Sequence, residues 1–202
     1  MKTFQFKLGT ILLAGSMIFS SCEKEEVITT PTPELLTIAA TADQAGNFTV
    51  LLDALTRTGL AATMADPSQS LTVFAPTDAA FMDLLNELGL SSLDEVESAL
   101  GNDGLKNVLL YHVLGAEVTS SMVSTGYVAS LGTNGTMDPL SIYANTSNGV
   151  MLNDRATVTT ADVMASNGVI HIIDKVILPL TIYQLLEINA DYATLTAALG
   201  IA

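Results

Sequence analysis

The chain of 202 residues has no tryptophan, one cysteine and two histidines. A lone cysteine, Cys22, forms no disulfide within the chain, so no bridge framework holds the fold. His112 and His171 fall on a predicted helix and a predicted strand, without the close spacing or cysteine partner of a zinc site. Positive charge is scarce too, with 7 Lys and Arg against 21 Asp and Glu and a net charge of −14. Such a surface repels nucleic acid and anionic headgroups over a Debye length of about 10 Å, so no nucleic-acid partner is expected. Charged residues make up only 14%, which leaves Thr, Ser and Asn to carry much of the solubility. No Gly-x-Ser-x-Gly elbow and no phosphate-cradling glycine loop in the required context is present. The expectation is a protein that is not an enzyme and takes no metal and no cofactor.

The apolar stretch over residues 8–19 is 12 residues long, short of the ~20 that span a bilayer as a helix. It follows Lys2 and Lys7 and leads to Ser20-Ser21-Cys22, the order of a secretory signal. Because it ends at a cysteine, it resembles a bacterial lipoprotein signal, in which that cysteine receives lipid. Phe19 departs from this pattern, since Leu is usual there. An ordinary signal peptide with an incidental cysteine is the alternative. The resemblance implies a signal peptide over residues 1–21, lipidation (palmitate included) at Cys22, and a membrane partner reached through this N-terminal anchor. Glu23-Lys24-Glu25-Glu26 reads as a solvated linker start, or, by resemblance, as the lysine-plus-acid signal that sends Bacteroidetes lipoproteins to the cell surface. Residues 22–36 then form the lipidated Cys and a Thr/Pro tether, semi-extended by its prolines. The expected location is the outer membrane, surface-exposed, with a periplasm-facing arrangement as the alternative.

From residue 37 the pattern is regular. Phe48, Leu51, Leu52 and Leu55 share a helix face, with Asn47 as the expected cap and Gly59 as the stop. Leu71-Thr72-Val73-Phe74 is short, apolar and β-favouring, and Pro76 ends it. Thr77 caps the next helix, Asp78 suits the positive end of its dipole, and Phe81, Leu84, Leu85 and Leu88 form its face. Ser92-Leu93-Asp94-Glu95 is a capping box, with Val96 and Leu100 expected inside. Leu105, Val108, Leu109 and His112 share one face of a further helix ended by Gly115. Beyond it, residues 127–131, 140–144, 150–152 and 156–160 read as strands between Gly, Asn and Asp turns. Val169-Ile170-His171-Ile172-Ile173 is apolar on both faces and is expected as a central strand. Helices first and strands later indicate an α+β fold.

A shift of 144 residues brings Leu180-Thr181-Ile182 onto Leu36-Thr37-Ile38, and Leu195, Ala198 and Leu199 onto Leu51, Ala54 and Leu55. Residues 180–202 are therefore expected to open a second, truncated copy of the domain over residues 37–179. Two unrelated amphipathic helices sharing a leucine pattern are the alternative.

Three landmarks lie in order within residues 37–179. Residues 71–81, Tyr111-His112, and Ser166-Asn167-Gly168-Val169-Ile170-His171-Ile172-Ile173-Asp174 resemble, respectively, the first homology segment, the tyrosine-histidine motif and the second homology segment of the fasciclin (beta-Ig-H3/fasciclin) domain. The resemblance implies a β-wedge or sandwich of about seven strands flanked by several helices. It also implies adhesion to extracellular protein or polysaccharide. In animal members the Tyr-His region and an Asp-Ile step before the second segment are assigned to receptor binding. The matching candidates here are Tyr111, His112, Asp162 and Val163, although Thr160-Ala161 departs from the Glu-Pro pair that precedes the step in some members. Read from their neighbours alone, the histidines suit structural roles and Asp162-Val163 suits a loop between strands. A polysaccharide-capturing accessory lipoprotein of a nutrient-uptake system is the alternative function.

Overall fold

The computed structural model describes residues 35–179. The signal, Cys22 and most of the tether, and the repeat from residue 180 onward, lie outside the described residues. Three helices come first: α1 (Ile38–Ala45), α2 (Thr49–Arg57) and the short α3 (Ala61–Ala65). They are followed by β1 (Leu71–Pro76), α4 (Asp78–Leu88), α5 (Leu93–Tyr111) and β2 (Val113–Leu114). A single 3-10 turn (Ser120–Met122) precedes the run of strands β3 (Gly126–Thr133), β4 (Pro139–Asn145), β5 (Met151–Leu152), β6 (Ala156–Ala165) and β7 (Gly168–Ile173). The seven strands form one sheet in the order β2-β1-β7-β6-β5-β4-β3. Only β1 and β7 run parallel; the other pairs are antiparallel. This is the expected α+β architecture, with β7 inside the sheet.

The β1–β7 pair separates two cores. Leu71, Val73, Ala75 and Ile170 join Leu51, Phe81, Val96, Leu105 and Leu109 beneath the helices. Phe74 and Ile173 join Tyr111, Leu114, Ile142, Ala144, Leu152 and Ile177 on the wedge side. Alternation along a strand sends successive residues to opposite faces, which is why one strand feeds both. The far strand β3 returns toward α5. Asn107 donates to the Thr133 carbonyl at 2.7 Å and accepts from its amide at 2.8 Å. Gly132 faces Tyr111 so closely that a Cβ there would lie 2.9 Å from the Tyr111 Cα.

Helix starts follow the sequence in part. The Thr77 hydroxyl accepts from the Ala80 amide and the Ser92 hydroxyl from the Glu95 amide. Glu95 in turn accepts from the Ser91 amide at 2.7 Å, one residue off the standard box. The expected Asn47 cap is not made, and Phe48 occupies the cap position without a side-chain bond. The cap comes from Asp78, whose carboxylate accepts from the Val50 amide and the Thr49 hydroxyl, both at 2.8 Å. Asp78 thus serves two helix starts, its own and that of α2. Leu100 is 51% exposed, not inside, because Gly101 (φ +73°) breaks the helix just after it. α5 ends at Tyr111 with His112 as its cap, three residues before the expected Gly115.

Candidate binding surface

Tyr111 and His112, placed by the end of α5, are inside. Tyr111 is 0% and His112 3% exposed, so neither side chain offers a contact surface in this conformation. The Tyr111 hydroxyl donates to the Ser141 carbonyl at 2.8 Å and accepts from Asn153 Nδ2 at 2.9 Å. Burial raises its pKa. His112 Nδ1 donates to the Val108 carbonyl at 2.7 Å, and its Nε2 accepts from the Ile177 amide at 3.0 Å. Those partners fix a neutral imidazole. Burial pushes its pKa down to about 4.

Asp162 and Val163 lie within β6, not in a loop between strands. Thr160 pairs with Ile172 and Val163 with Ile170, so Ala161 and Asp162 together face His171 in a β-bulge. Asp162 takes the left-handed conformation (φ +59°) that such a bulge demands and that Asp tolerates better than most residues. Its amide donates to His171 Nδ1 at 3.2 Å, and His171 Nε2 donates to the Val118 carbonyl at 2.9 Å. The carboxylate accepts from the Ser120 amide at 2.7 Å and from the Ser120 hydroxyl. These two bonds hold the Asp162 carboxyl below the usual carboxylate pKa. It is therefore an anion that anchors the 3-10 turn. Val163 is half-buried against the helical core, while Ala161 and Asp162 are exposed. Met164 and Met122, two residues along from Asp162 and Ser120, are 45% and 65% exposed. An exposed carboxylate with exposed methionines two residues along from it and from its Ser120 anchor suits contact with another macromolecule, because methionine adapts to irregular surfaces.

The three sequence landmarks meet, although the four candidate side chains do not form one cluster. The Phe74 amide donates to the His112 carbonyl at 2.9 Å. The Phe74 ring stacks on His171 with centroids 5.5 Å apart, and His171 holds the Asp162 amide. Each segment thus contributes to one buried seam whose outer end is the Asp162 bulge. Sequence reasoning missed Ser120, Asn107 and Asn153. Asn153 carried a signal, since Asn153-Asp154 is a turn with positive φ at both residues (52° and 48°). Among the described residues no group of three His, Cys, Asp or Glu is placed to hold a metal, and no helix is long and apolar enough to cross a membrane.

Comparison with known proteins agrees with this geometry. The Fasciclin domain model matches residues 46–179. Protein sll1483 of Synechocystis sp. is 33% identical over 177 residues, covering 86% of this chain and 91% of that protein. The transforming growth factor-beta-induced protein ig-h3 of Sus scrofa is 33% identical over 140 residues, covering 65% of this chain but 18% of the longer protein. Among solved structures, the FAS1 domain pair from the insect cell adhesion molecule Fasciclin I superposes with a TM-score of 0.56 at 16% identity. It covers 72% of this chain and 51% of that one, a likeness of fold. With its three landmarks, its seven-stranded sheet and the family match over most of its length, the chain belongs to the fasciclin domain family, which is linked to cell adhesion and extracellular protein binding.

Proposed function

We propose that this chain is a lipid-anchored outer-membrane protein, displayed on the cell surface, whose fasciclin domain adheres to extracellular protein or glycan. The observation that carries the reading is the contrast at the landmark seam. Tyr111, His112 and His171 have their polar atoms engaged inside the fold, whereas the seam ends outside in Asp162, Met164 and Met122. Val163 supports that surface from beneath, His112 positions it through Phe74 and His171, and Tyr111 braces β4 and the Asn153 turn. The leader, with Cys22 and the following Lys24, supports anchoring at the outer membrane. Each contact is weak, and many anchored copies per cell make the binding effective through local concentration.

The test uses the full chain in its native cell. Tritiated palmitate should label the wild type and not Cys22→Ala, and external protease should remove the domain from intact cells. Cells lacking the gene should lose attachment to surfaces coated with matrix protein or polysaccharide, and Asp162→Ala should reproduce much of that loss. Unchanged attachment in the deletion strain refutes the adhesive role. Equal labelling of both chains refutes the anchor.

A further inference from the structure

We infer that the outward face of the β3–β4 hairpin, centred on Tyr127 and Tyr143, is a stacking platform for an uncharged polysaccharide. The two tyrosines stand directly opposite each other in the ladder. Their ring centroids are 5.2 Å apart and the planes are tilted by 52°. Val128, Ile142 and Ala144 point the other way, into the wedge core. Tyr127 is 50% exposed and Tyr143 partly so. The third tyrosine among the described residues, Tyr111, is fully buried. A cross-strand aromatic pair contributes ~0.2–1 kcal/mol to sheet pairing with or without a ligand, so the assignment rests on its surroundings.

Those surroundings are uncharged. The outward positions of the hairpin are Tyr127, Ala129, Leu131, Ser141, Tyr143 and Asn145, in a chain with a net charge of −14. An anionic polymer, or a second copy of this chain, meets long-range repulsion from the rest of the molecule. A charged peptide finds no countercharge on this face. A neutral polysaccharide meets neither obstacle. The C–H faces of its pyranose rings carry slight positive charge and suit the negative face of an aromatic ring. Its hydroxyls find partners at the edge of the pair. Ser141 and Asn145 lie two positions either side of Tyr143, on the same face. The Asn145 side-chain oxygen accepts from the Ser147 amide, and its Nδ2 makes no hydrogen bond among the described residues.

The chemistry of this face is independent of the Asp162 surface; its use in attachment rests on the adhesive reading above. The test is native electrophoresis of the mature chain carrying Cys22→Ser through gels containing dextran, a mixed-linkage β-glucan, xyloglucan or galactomannan. Alginate and polygalacturonate gels run alongside. At least one neutral polymer should retard the protein, and neither anionic polymer should. Tyr127→Ala and Tyr143→Ala should each weaken retardation about tenfold, equivalent to ~1.4 kcal/mol, and the double variant should abolish it. Tyr127→Phe should stay within about threefold, because the ring remains. The pair contributes at most ~1 kcal/mol to the sheet, so a single cooperative unfolding transition shifted by only a few degrees serves as the folding control. Free passage through every neutral gel overturns the inference, as does undiminished retardation of the double alanine variant or equal retardation by alginate. Attachment that survives in the double alanine variant overturns the platform's use in attachment alone; normal attachment of the deletion strain, with the purified protein still retarded, overturns the adhesive reading alone.

Discussion

The two faces of the β1–β7 pair are built from different materials. Beneath the helices the buried side chains are mostly aliphatic, with Phe48 and Phe81 as the large fillers and Thr58, His112 and Asn167 as the polar exceptions. On the wedge side the buried set includes Thr72, Tyr111, Asn153 and His171, each making long-range hydrogen bonds. The Thr72 hydroxyl donates to the Ala116 carbonyl at 2.7 Å and accepts from the Val118 amide at 2.8 Å. Asn153 accepts from the Tyr143 amide and donates to the Tyr111 hydroxyl and the Leu178 carbonyl. Volume specifies the helical core, which many apolar combinations satisfy. Geometry specifies the wedge, because a buried polar atom stripped of its partner costs about 1–3 kcal/mol.

The seam shared by both faces should give the largest effect. At Gly168 (φ +142°) a Cβ would fall 1.8 Å from the Leu71 carbonyl oxygen, so Gly168→Ala must push β7 off β1. A loss above about 4 kcal/mol is expected, beyond the range of most single substitutions. Urea unfolding, or failure to recover folded protein, checks it. The contrast between faces is then tested by two swaps of similar volume. Asn153→Leu strands the Tyr143 amide and the Leu178 carbonyl and places a branched side chain at positive φ, for about 4 kcal/mol. Leu109→Met on the helical side should cost under about 1.5 kcal/mol. Equal losses in the same unfolding experiment would erase the distinction.

Three buried polar side chains depart from the pattern on the helical side, and of Thr58, Asn167 and His112 only the last can titrate. His112 is neutral because its Nε2 receives the Ile177 amide. Burial holds its pKa at about 4 in the folded chain, below the ordinary imidazole value of 6.5, so between those values the unfolded chain binds the extra proton. Its contribution is complete above pH 6.5 and is lost as pH falls toward 4, by roughly 3 kcal/mol in all. Asp162 and Glu87, whose pKa values are also lowered, add their losses only at lower pH. Unfolding followed at pH 7 and pH 4.5 should show the fall, and His112→Gln, which cannot titrate, should flatten it. A flat profile in the wild type would mean that the imidazole is reached by water.

How much was legible in the sequence follows the same division. Faces such as Phe48, Leu51 and Leu55, and the strand from Leu71 to Phe74, are written as periodicity, and the structure buries them as expected. Leu100 went astray because Gly101 turns the chain by a backbone angle that no apolar count reports. The β6 strand runs to Ala165, well past the expected end at Thr160. Its bulges shift the period that the reading relied on. At the candidate surface, Asp162 was identified by resemblance, but its anchor Ser120 lies 42 positions away. Local pattern carries no record of such a partner. The same holds for Asn107, which meets β3 across 26 positions.

The smallest stability effect should fall where the proposed function concentrates. Asp162 spends its carboxylate on the surface-exposed Ser120 turn, and its backbone sits where L-residues are disfavoured by ~1–2 kcal/mol. Asp162→Gly removes the first contribution and relieves the second, so the two should largely offset and leave stability within about 0.5 kcal/mol of wild type. Asp162→Ala loses the carboxylate without that relief and should be less stable than the glycine variant by about 1 kcal/mol. Both variants release the Ser120 turn and remove the exposed anion, so both should lose attachment to the same extent. That pairing separates the two roles of the bulge. If attachment tracks stability across the two variants, Asp162 acts by shaping β6; if attachment falls equally in both, the carboxylate and the turn it holds belong to the contact surface.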